Sequence, residues 1–575
     1  MTALANKRLG LATLVALTAV QLLVGLDAVP IMRAEIYFMD GARAMVERSD
    51  YLVPYFQGEP FFDKPPLTYW LIALAFRVAG FTPEVARWVS AGAAVATVLT
   101  TVWLGSLLLN RQAALVGGYI LGTTFAFTSF GRLAMSDMLL ALFSTLSMGL
   151  AVRALRGEHS YGWLAALGGV LGLGFLTKGP IALLLPGLGV LLVAWRQRRQ
   201  LPQLAGGIAV GVVAFAVCGL SWFVSIGLRL GWEPLEYFFL SENLQRFASA
   251  KYHAGQPIWY YGPTYLAEAA PWSLFLPVAL WSFWRKSRQT VDPGVALLLG
   301  WFGLMVVPLT LSRGKLDYYL LPLYPAISLV LGGFFGSAWS KLDRIWASIV
   351  LTLTSVAIAV ATLVPTRIPD PWLPSSTLRA SISLVAVLIA LLLIAIARRP
   401  SPDRTFVALA LTSAGAFSAV SGIFIPALQS AQPNDAIVAD VARERRWAPH
   451  AALTYCDDPL LVSRDVLFYD RLAARERCDL WNPATGAPTL LLMHEERRDD
   501  LMKIKAVRFV GRYTYLPART LTLQGLIDGA RPSELALLAN YPTADPISQR
   551  RNRKDRRRAV QERQAGGLAK EKPFP

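Results

Sequence analysis

The sequence predicts an α-helical polytopic membrane protein, and three observations carry that prediction. Of 575 residues, 54% are hydrophobic and only 16% are charged, with a mean hydropathy of +0.43. That balance is too apolar for a soluble chain, and the chain is too long for a single anchor. Runs of about 20 apolar residues, each able to cross a hydrocarbon layer of roughly 30 Å, recur from Leu9 to Pro426. Basic residues gather in alternate connections between the runs. With no water to satisfy the backbone, such runs must be helices.

In chain order the expected spans are Leu9–Val29, Ala86–Leu109, Ala113–Phe130, Asp137–Leu155, Trp163–Leu176, Ile181–Trp195, Ala205–Leu228, Gly262–Trp284, Val295–Leu311, Tyr318–Trp339, Ile345–Val364, Ser381–Ala397 and Phe406–Ile425. That makes about thirteen crossings. The first has no small-residue cleavage site and reads as an anchor rather than a signal peptide. Leu67–Gly80 is short and follows Pro65-Pro66, so it is expected as a juxtamembrane helix within a first external loop covering residues 30–85.

Charge supports this count. With the N-terminus inside, the cytoplasmic turns hold Lys7/Arg8, Arg111, Arg153/Arg156, Arg196/Arg198/Arg199, Arg285/Lys286/Arg288, Lys341/Arg344 and Arg398/Arg399/Arg404. The loops Met32–Arg87, Arg132–Asp137, Thr177–Pro180, Gly231–Tyr261, Ser312–Tyr319 and Thr366–Arg379 then share the outer face with everything after Pro426.

Residues 1–426 are therefore expected as a transmembrane domain and 427–546 as a small external α/β domain. In the latter, strand-like runs Ala451–Tyr455, Pro488–Met493 and Ala506–Tyr513 alternate with helix-like Asp435–Arg446, Leu461–Arg477 and Glu495–Lys505. Residues 547–575 form a basic tail, which reads either as a solvated terminus or as a contact for anionic headgroups. These turns and the tail account for most of the net charge of +18, without nucleic acid. Cys218 falls in an apolar run, where packing is its ordinary role. Cys456 and Cys478 fall in the external domain, where a disulfide and a pair of thiols are equally open.

The chemistry-bearing residues lie in the outer loops, where charge beside a membrane is seldom kept without cause. The first loop brings Glu35, Asp40, Asp63 and Lys64, and Arg132, Asp137 and Lys178 stand at the outer ends of later spans. A further loop carries Glu242, Arg246, Lys251 and His253, and SRGKLDYYLLP carries Arg313, Lys315, Asp317, Tyr318 and Tyr319. Singly, each reads equally well as an interfacial anchor. Together, cations at a membrane surface suit a phosphate whose lipid tail stays in the bilayer, while a carboxylate can deprotonate an incoming hydroxyl or stabilise an anomeric centre. Glycosyl transfer from a lipid-phosphate sugar needs that combination. No Gly-rich phosphate loop opens a helix, so no nucleotide cofactor is expected.

The segment GARAMVERSDYLVPYFQGEPFFDKPPLTYWL resembles the first-loop pattern of the integral-membrane glycosyltransferases that use polyprenyl-phosphate sugars. That group contains the protein O-mannosyltransferases and the bacterial lipid A aminoarabinose transferase. Supporting matches are Met135–Phe143, Phe175–Pro186, Asn243–Phe247, Ala269–Trp272 and Ser312–Pro322. The resemblance implies a GT-C fold in a bacterial inner membrane, with the site and the C-terminal domain on the periplasmic side. It implies a polyprenyl-phosphate-sugar donor, of the undecaprenyl type, and a lipid A, glycolipid, glycan or protein acceptor. By the same resemblance Lys64, with Arg246, Arg313 or Lys315 and Tyr318 or Tyr319, would hold the lipid phosphate, and Asp137 would stand near the reacting centre. Asp63 and His253 would match a site for a divalent metal, zinc or magnesium. One position departs: where relatives carry an Asp-Glu pair, this chain has Ala34-Glu35, leaving Glu35 and then Asp40 as the expected catalytic acids. The alternative is a transporter or binding protein for lipid-linked glycans, which needs the cations but tolerates loss of the acids.

Overall fold

The computed structural model describes residues 7–56, 58–155, 160–245, 256–287, 293–368, 372–446, 448, 451–455, 488–494, 508–515 and 533–539. The chain divides into two compact units, one formed by Met1–Val29, Arg33–Pro365 and Pro374–Pro426, the other by Pro30–Met32, Thr366–Leu373 and Ala427–Pro575.

The first unit is helical. Helix α1 (Lys7–Leu23) stops short of its expected end because the chain turns at Gly25, whose φ of +61° suits a residue without a side chain. Helix α2 (Arg33–Arg48) carries Glu35 in its first turn and Arg48 in its last, matching the helix dipole at both ends. A two-residue hairpin, β1 (Tyr55–Phe56) and β2 (Glu59–Pro60), leads to α3 (Leu67–Ala79), the short helix expected in the first loop. Then come α4 (Pro83–Leu108), with proline in its first turn, and α5 (Arg111–Gly122), whose Asn110 cap accepts the Ala113 N–H at 2.9 Å. They are followed by α6 (Phe125–Phe130), α7 (Asp137–Ala154), α8 (Ser160–Lys178) and α9 (Pro180–Arg196).

Among the described residues, eight helices are long and apolar enough to cross a membrane: α4, α7, Leu201–Leu230, Pro293–Leu311, Asp317–Phe335, Lys341–Ala361, Ser376–Ala397 and Pro402–Ser430. Tyr261–Glu268 and Trp272–Arg285, bent by 114°, make a ninth if counted as one broken span. The chain is a multi-pass membrane protein of this helical kind. The other expected spans are also helical, one of them interrupted and two of them short. Ala113–Phe130 divides into α5 and α6 at Thr123-Thr124, whose hydroxyls donate back to the Tyr119 and Ile120 carbonyls. The α1 and α9 runs fall below the usual crossing length, and Trp163–Leu176 lies inside α8.

Burial ranks these helices in a way hydropathy does not. In α7 and Asp317–Phe335, 78% and 83% of the apolar window is buried, against 17% in Ser376–Ala397, the most apolar of all. Lipid-facing helices must be apolar all round, whereas central ones have neighbours and can bury Ser144, Thr145, Ser147 and Ser328. Contact between α5 and Asp317–Phe335 is close enough to require glycine, since a Cβ at Gly332 would collide with the Ala113 carbonyl and the Gly117 backbone.

In the second unit, a four-stranded sheet runs in the order β3 (Ala452–Tyr455), β4 (Thr489–His494), β6 (Ser533–Ala539), β5 (Arg508–Tyr515). β3 lies parallel to β4, and the other pairs are antiparallel. Helix Asn434–Arg445 contributes Ile437 and Val441 to a core with Leu453, Leu490, Leu492, Tyr513, Leu535 and Leu537. Three strands fall where β-like runs were expected. The fourth, SELALLA, was not anticipated, because a strand interior to a sheet and buried at every position from Leu535 to Ala539 shows no alternation. The expected helices at Leu461–Arg477 and Glu495–Lys505, together with Cys456, Cys478 and the basic tail, lie outside the described residues.

Candidate active site

Two arginines build the frame. The carbonyls at the end of α1 have no partners within the helix. Arg132 donates to Gln21 O at 2.8 Å, Val24 O at 2.6 Å and Gly25 O at 2.8 Å, and Arg87 on α4 donates to Leu26 O at 3.1 Å and Val29 O at 2.8 Å. Both guanidiniums therefore put positive charge at the negative end of α1.

Arg87 also holds Glu35. Its Nε meets Oε1 at 2.9 Å and its Nη2 meets Oε2 at 3.1 Å, a bidentate pair with both side chains 0% exposed. Glu35 Oε1 accepts a further bond from the Ala134 N–H at 2.8 Å. Next along that segment, the Ser90 hydroxyl donates to Met135 O at 3.2 Å and accepts from Met135 N at 3.3 Å. Three residues after Ala134, Asp137 opens α7.

Asp137 pairs through Oδ1 with Lys178, and the two side chains are 5% and 11% exposed. Lys178 is presented there because α8 ends on it. Gly179 follows with φ +68° and ψ −143°, and Pro180 then starts α9. The ammonium also lies 4.8 Å from the Tyr319 ring centre and 5.7 Å from that of Tyr318, within cation–π range. Tyr318 packs edge-on against Phe130 at 5.9 Å, and Asp317 accepts the Tyr318 N–H at 2.9 Å. Loop and helix ends from three parts of the sequence thus give the Asp137 carboxylate, the Lys178 ammonium and two phenols.

The first loop builds a second group of contacts. Asp40 pairs with Arg43 one turn further along α2. Tyr37 stacks on Phe61 at 5.3 Å, and Gly41 leaves room for Tyr69 of α3. Lys64 donates to the Asp63 carbonyl at 2.8 Å. The Tyr237 hydroxyl lies 3.3 Å from Asp63 Oδ1 and 3.2 Å from Glu242 Oε1, so two carboxylates share one phenolic proton. Beside them a cavity of about 350 Å³ is lined by Pro60, Phe61, Phe62, Asp63, Glu233, Pro234 and Tyr237. At the base of the loop, Trp70 and Trp222 donate to the Tyr51 and Leu52 carbonyls, and Arg229 forks onto Asp50 at 3.0 and 2.9 Å. Burial works against the Asp50 charge, but the Arg229 hydrogen bond and the Leu52 N–H outweigh it and hold the carboxyl below its usual range.

The structure therefore brings Asp137 together with Tyr318 and Tyr319, and Lys64 with Asp63. Lys315 is buried and donates to Ser312 O at 2.6 Å and Gln256 O at 3.4 Å, while Arg313 is exposed. Arg246 and His253 lie outside the described residues, and among the described residues no three His, Cys, Asp or Glu side chains gather in a metal-binding group. Arg87 and the bridging role of Lys178 were not read from sequence. Arg87 was taken only as the end of a loop, and pairing across 52 and 41 positions leaves no local pattern.

Residues 63–222 match the family described as dolichyl-phosphate-mannose-protein mannosyltransferase. The match covers Asp63, Lys64, Asp137 and Lys178. The solved structure of ArnT from Cupriavidus metallidurans bound to undecaprenyl phosphate superimposes with a TM-score of 0.69, covering 91% of this chain and 97% of that one at 19% identity. The fold is ArnT-like. In sequence, the chain is 30% identical over 306 residues to the undecaprenyl phosphate-alpha-4-amino-4-deoxy-L-arabinose arabinosyl transferase of Yersinia pestis, covering 52% of this chain and 54% of that one. The Yersinia enterocolitica protein of the same name matches at 30% over 314 residues, 54% and 56% of the two chains. The chain thus spans about half the length of the curated relatives it matches. Its ArnT-like fold and these matches make it similar to glycosyltransferases that use polyprenyl-phosphate sugars.

Proposed function

We propose that the protein transfers a sugar from an undecaprenyl-phosphate donor, with 4-amino-4-deoxy-L-arabinose the first to test, to lipid A or a related glycolipid on the periplasmic face of a bacterial inner membrane. The observation that carries this reading is the Asp137–Lys178 pair under Tyr318 and Tyr319. A lysine has three N–H donors, and Lys178 gives one to Asp137, so it keeps donors for a phosphate oxygen. Asp137 Oδ2 takes no hydrogen bond from the described residues, and we assign it to the acceptor hydroxyl.

In the proposed reaction the acceptor oxygen attacks the anomeric carbon as the bond from that carbon to the phosphate oxygen breaks. The acceptor proton passes to a carboxylate, Asp137 in this reading with Asp40 the next candidate, and the bonding pair leaves with undecaprenyl phosphate. Lys178, with Lys64 and the tyrosine hydroxyls, stabilises charge growing on the leaving phosphate. Arg246, Arg313 and Lys315 remain candidates for the same phosphate. Asp63 and Glu242, sharing Tyr237, offer two oxygens to a divalent ion, and no step needs that ion.

The test is transfer of a radiolabelled sugar from undecaprenyl phosphate to lipid A in proteoliposomes. Wild type should transfer, while Asp137→Asn and Lys178→Ala should lose at least 100-fold in kcat/KM, an effect of about 2.7 kcal/mol. Full transfer by Asp137→Asn would sink the reading. Donor flipping without any transfer by wild type would favour the transporter alternative.

A further inference from the structure

We infer that Glu35 is a positioning residue that sets the start of α7, and through it Asp137, rather than a group that meets substrate. The inference rests on the proposed transfer reaction. Glu35 would otherwise be the natural acid of this site, since it is the leading catalytic carboxylate expected from the sequence. Its geometry argues for another use. Oε1 receives both Arg87 Nε and the Ala134 N–H, Oε2 receives Arg87 Nη2, and the side chain is fully buried. A carboxylate taking a proton from an acceptor needs a lone pair directed at the substrate and a path to it. Here the two oxygens face a guanidinium and a backbone amide inside the protein.

The same contacts form a rigid line toward Asp137. Arg87 is fixed by two carbonyls beyond α1 and grips Glu35, Glu35 holds Ala134, and Ser90 holds Met135 from both sides. The segment 134–136 consequently has little freedom, and α7 starts where Asp137 meets Lys178. Displacing a reacting group by about 1 Å can cost a hundredfold in rate. A strut of this kind explains why a fully buried ion pair is kept beside a site that uses neither of its charges.

Transfer kinetics per folded molecule decide the matter, with folding measured by thermal unfolding of the purified protein. Glu35→Ala removes the strut and should lower kcat 10- to 100-fold while donor KM changes less than threefold. Ser90→Ala leaves every charge in place but removes both Ser90 bonds to Met135, and should lower kcat three- to tenfold with the same unchanged KM. Glu35→Gln has no ionisable group at position 35, yet its amide oxygen can still accept the Ala134 and Arg87 N–H groups while Arg87 keeps its two carbonyls. It should recover to within about fivefold of wild type and keep the wild-type pH profile of kcat. A folded Glu35→Gln as inactive as Glu35→Ala, or one whose pH profile loses an ionisation, would overturn the inference, as would Ser90→Ala with wild-type kcat. Absence of transfer by wild type would instead overturn the reaction on which it rests.

Discussion

Gly179→Ala tests how Lys178 is delivered to the site. At φ +68° and ψ −143°, residue 179 occupies a region open almost only to glycine, and a side chain there costs about 1–3 kcal/mol. The new Cβ would also stand 2.5 Å from Phe238 Cζ and 3.1 Å from Cε1. Phe238 is 1% exposed and packs against Phe223 and Phe239, so its ring has little room to withdraw. Overpacking of this kind adds about 1–3 kcal/mol. The sum, about 2–6 kcal/mol, should lower the Tm in nanodiscs by several degrees and reduce transfer, because the connection can relax only by moving Lys178. A double-mutant cycle separates the parts: Gly179→Ala/Phe238→Leu should recover the crowding share and retain the backbone share. A wild-type Tm for Gly179→Ala, or a cycle without coupling, would refute the steric account.

Arg132→Met should be costlier than most buried substitutions, since it strips three backbone carbonyls of their donors; about 3–5 kcal/mol is expected in equilibrium unfolding, and Arg132→Lys should recover only part of it. The Asp50–Arg229 contact should respond to acid. The Asp50 carboxyl is held below its usual value, so its stabilisation is complete above the unfolded pKa of about 3.9 and is lost as pH falls through the lower folded value. Limited proteolysis of the first loop should therefore be flat from pH 7 to about 4 and rise below it, and Asp50→Asn should show the acid-state rate at all pH values.

The helices were legible because each lipid-facing residue must be apolar, which leaves a long signal in the chain. Their interruptions were not. Nothing in the hydropathy of Ala113–Phe130 marks the break at Thr123-Thr124, and Gly262–Trp284 reads as one run although its two halves meet at 114°. Both breaks depend on backbone hydrogen bonding and packing, to which hydropathy is blind. Among the candidate site residues, Asp137, Lys64, Tyr318 and Tyr319 were visible as polar groups in costly places. What each one does was hidden, because Arg87 and Lys178 lie far along the chain from the acids they meet.

The buried charges sort by how much of their bonding capacity the protein itself consumes. Arg132 gives its hydrogen bonds to the carbonyls that end α1, and Arg87 divides its own between two more carbonyls and Glu35. These groups hold the backbone in place, and a ligand could reach them only by breaking bonds already made. The Asp137–Lys178 pair is different. It is nearly as buried, yet one carboxylate oxygen and most of the ammonium's donors remain uncommitted among the described residues, with two aromatic faces beside them. Burial makes an unspent hydrogen bond expensive unless something arrives to complete it. An anionic phosphate approached by a hydroxyl nucleophile would complete both halves of the pair, and neither a neutral glycan nor a bare cation would do so.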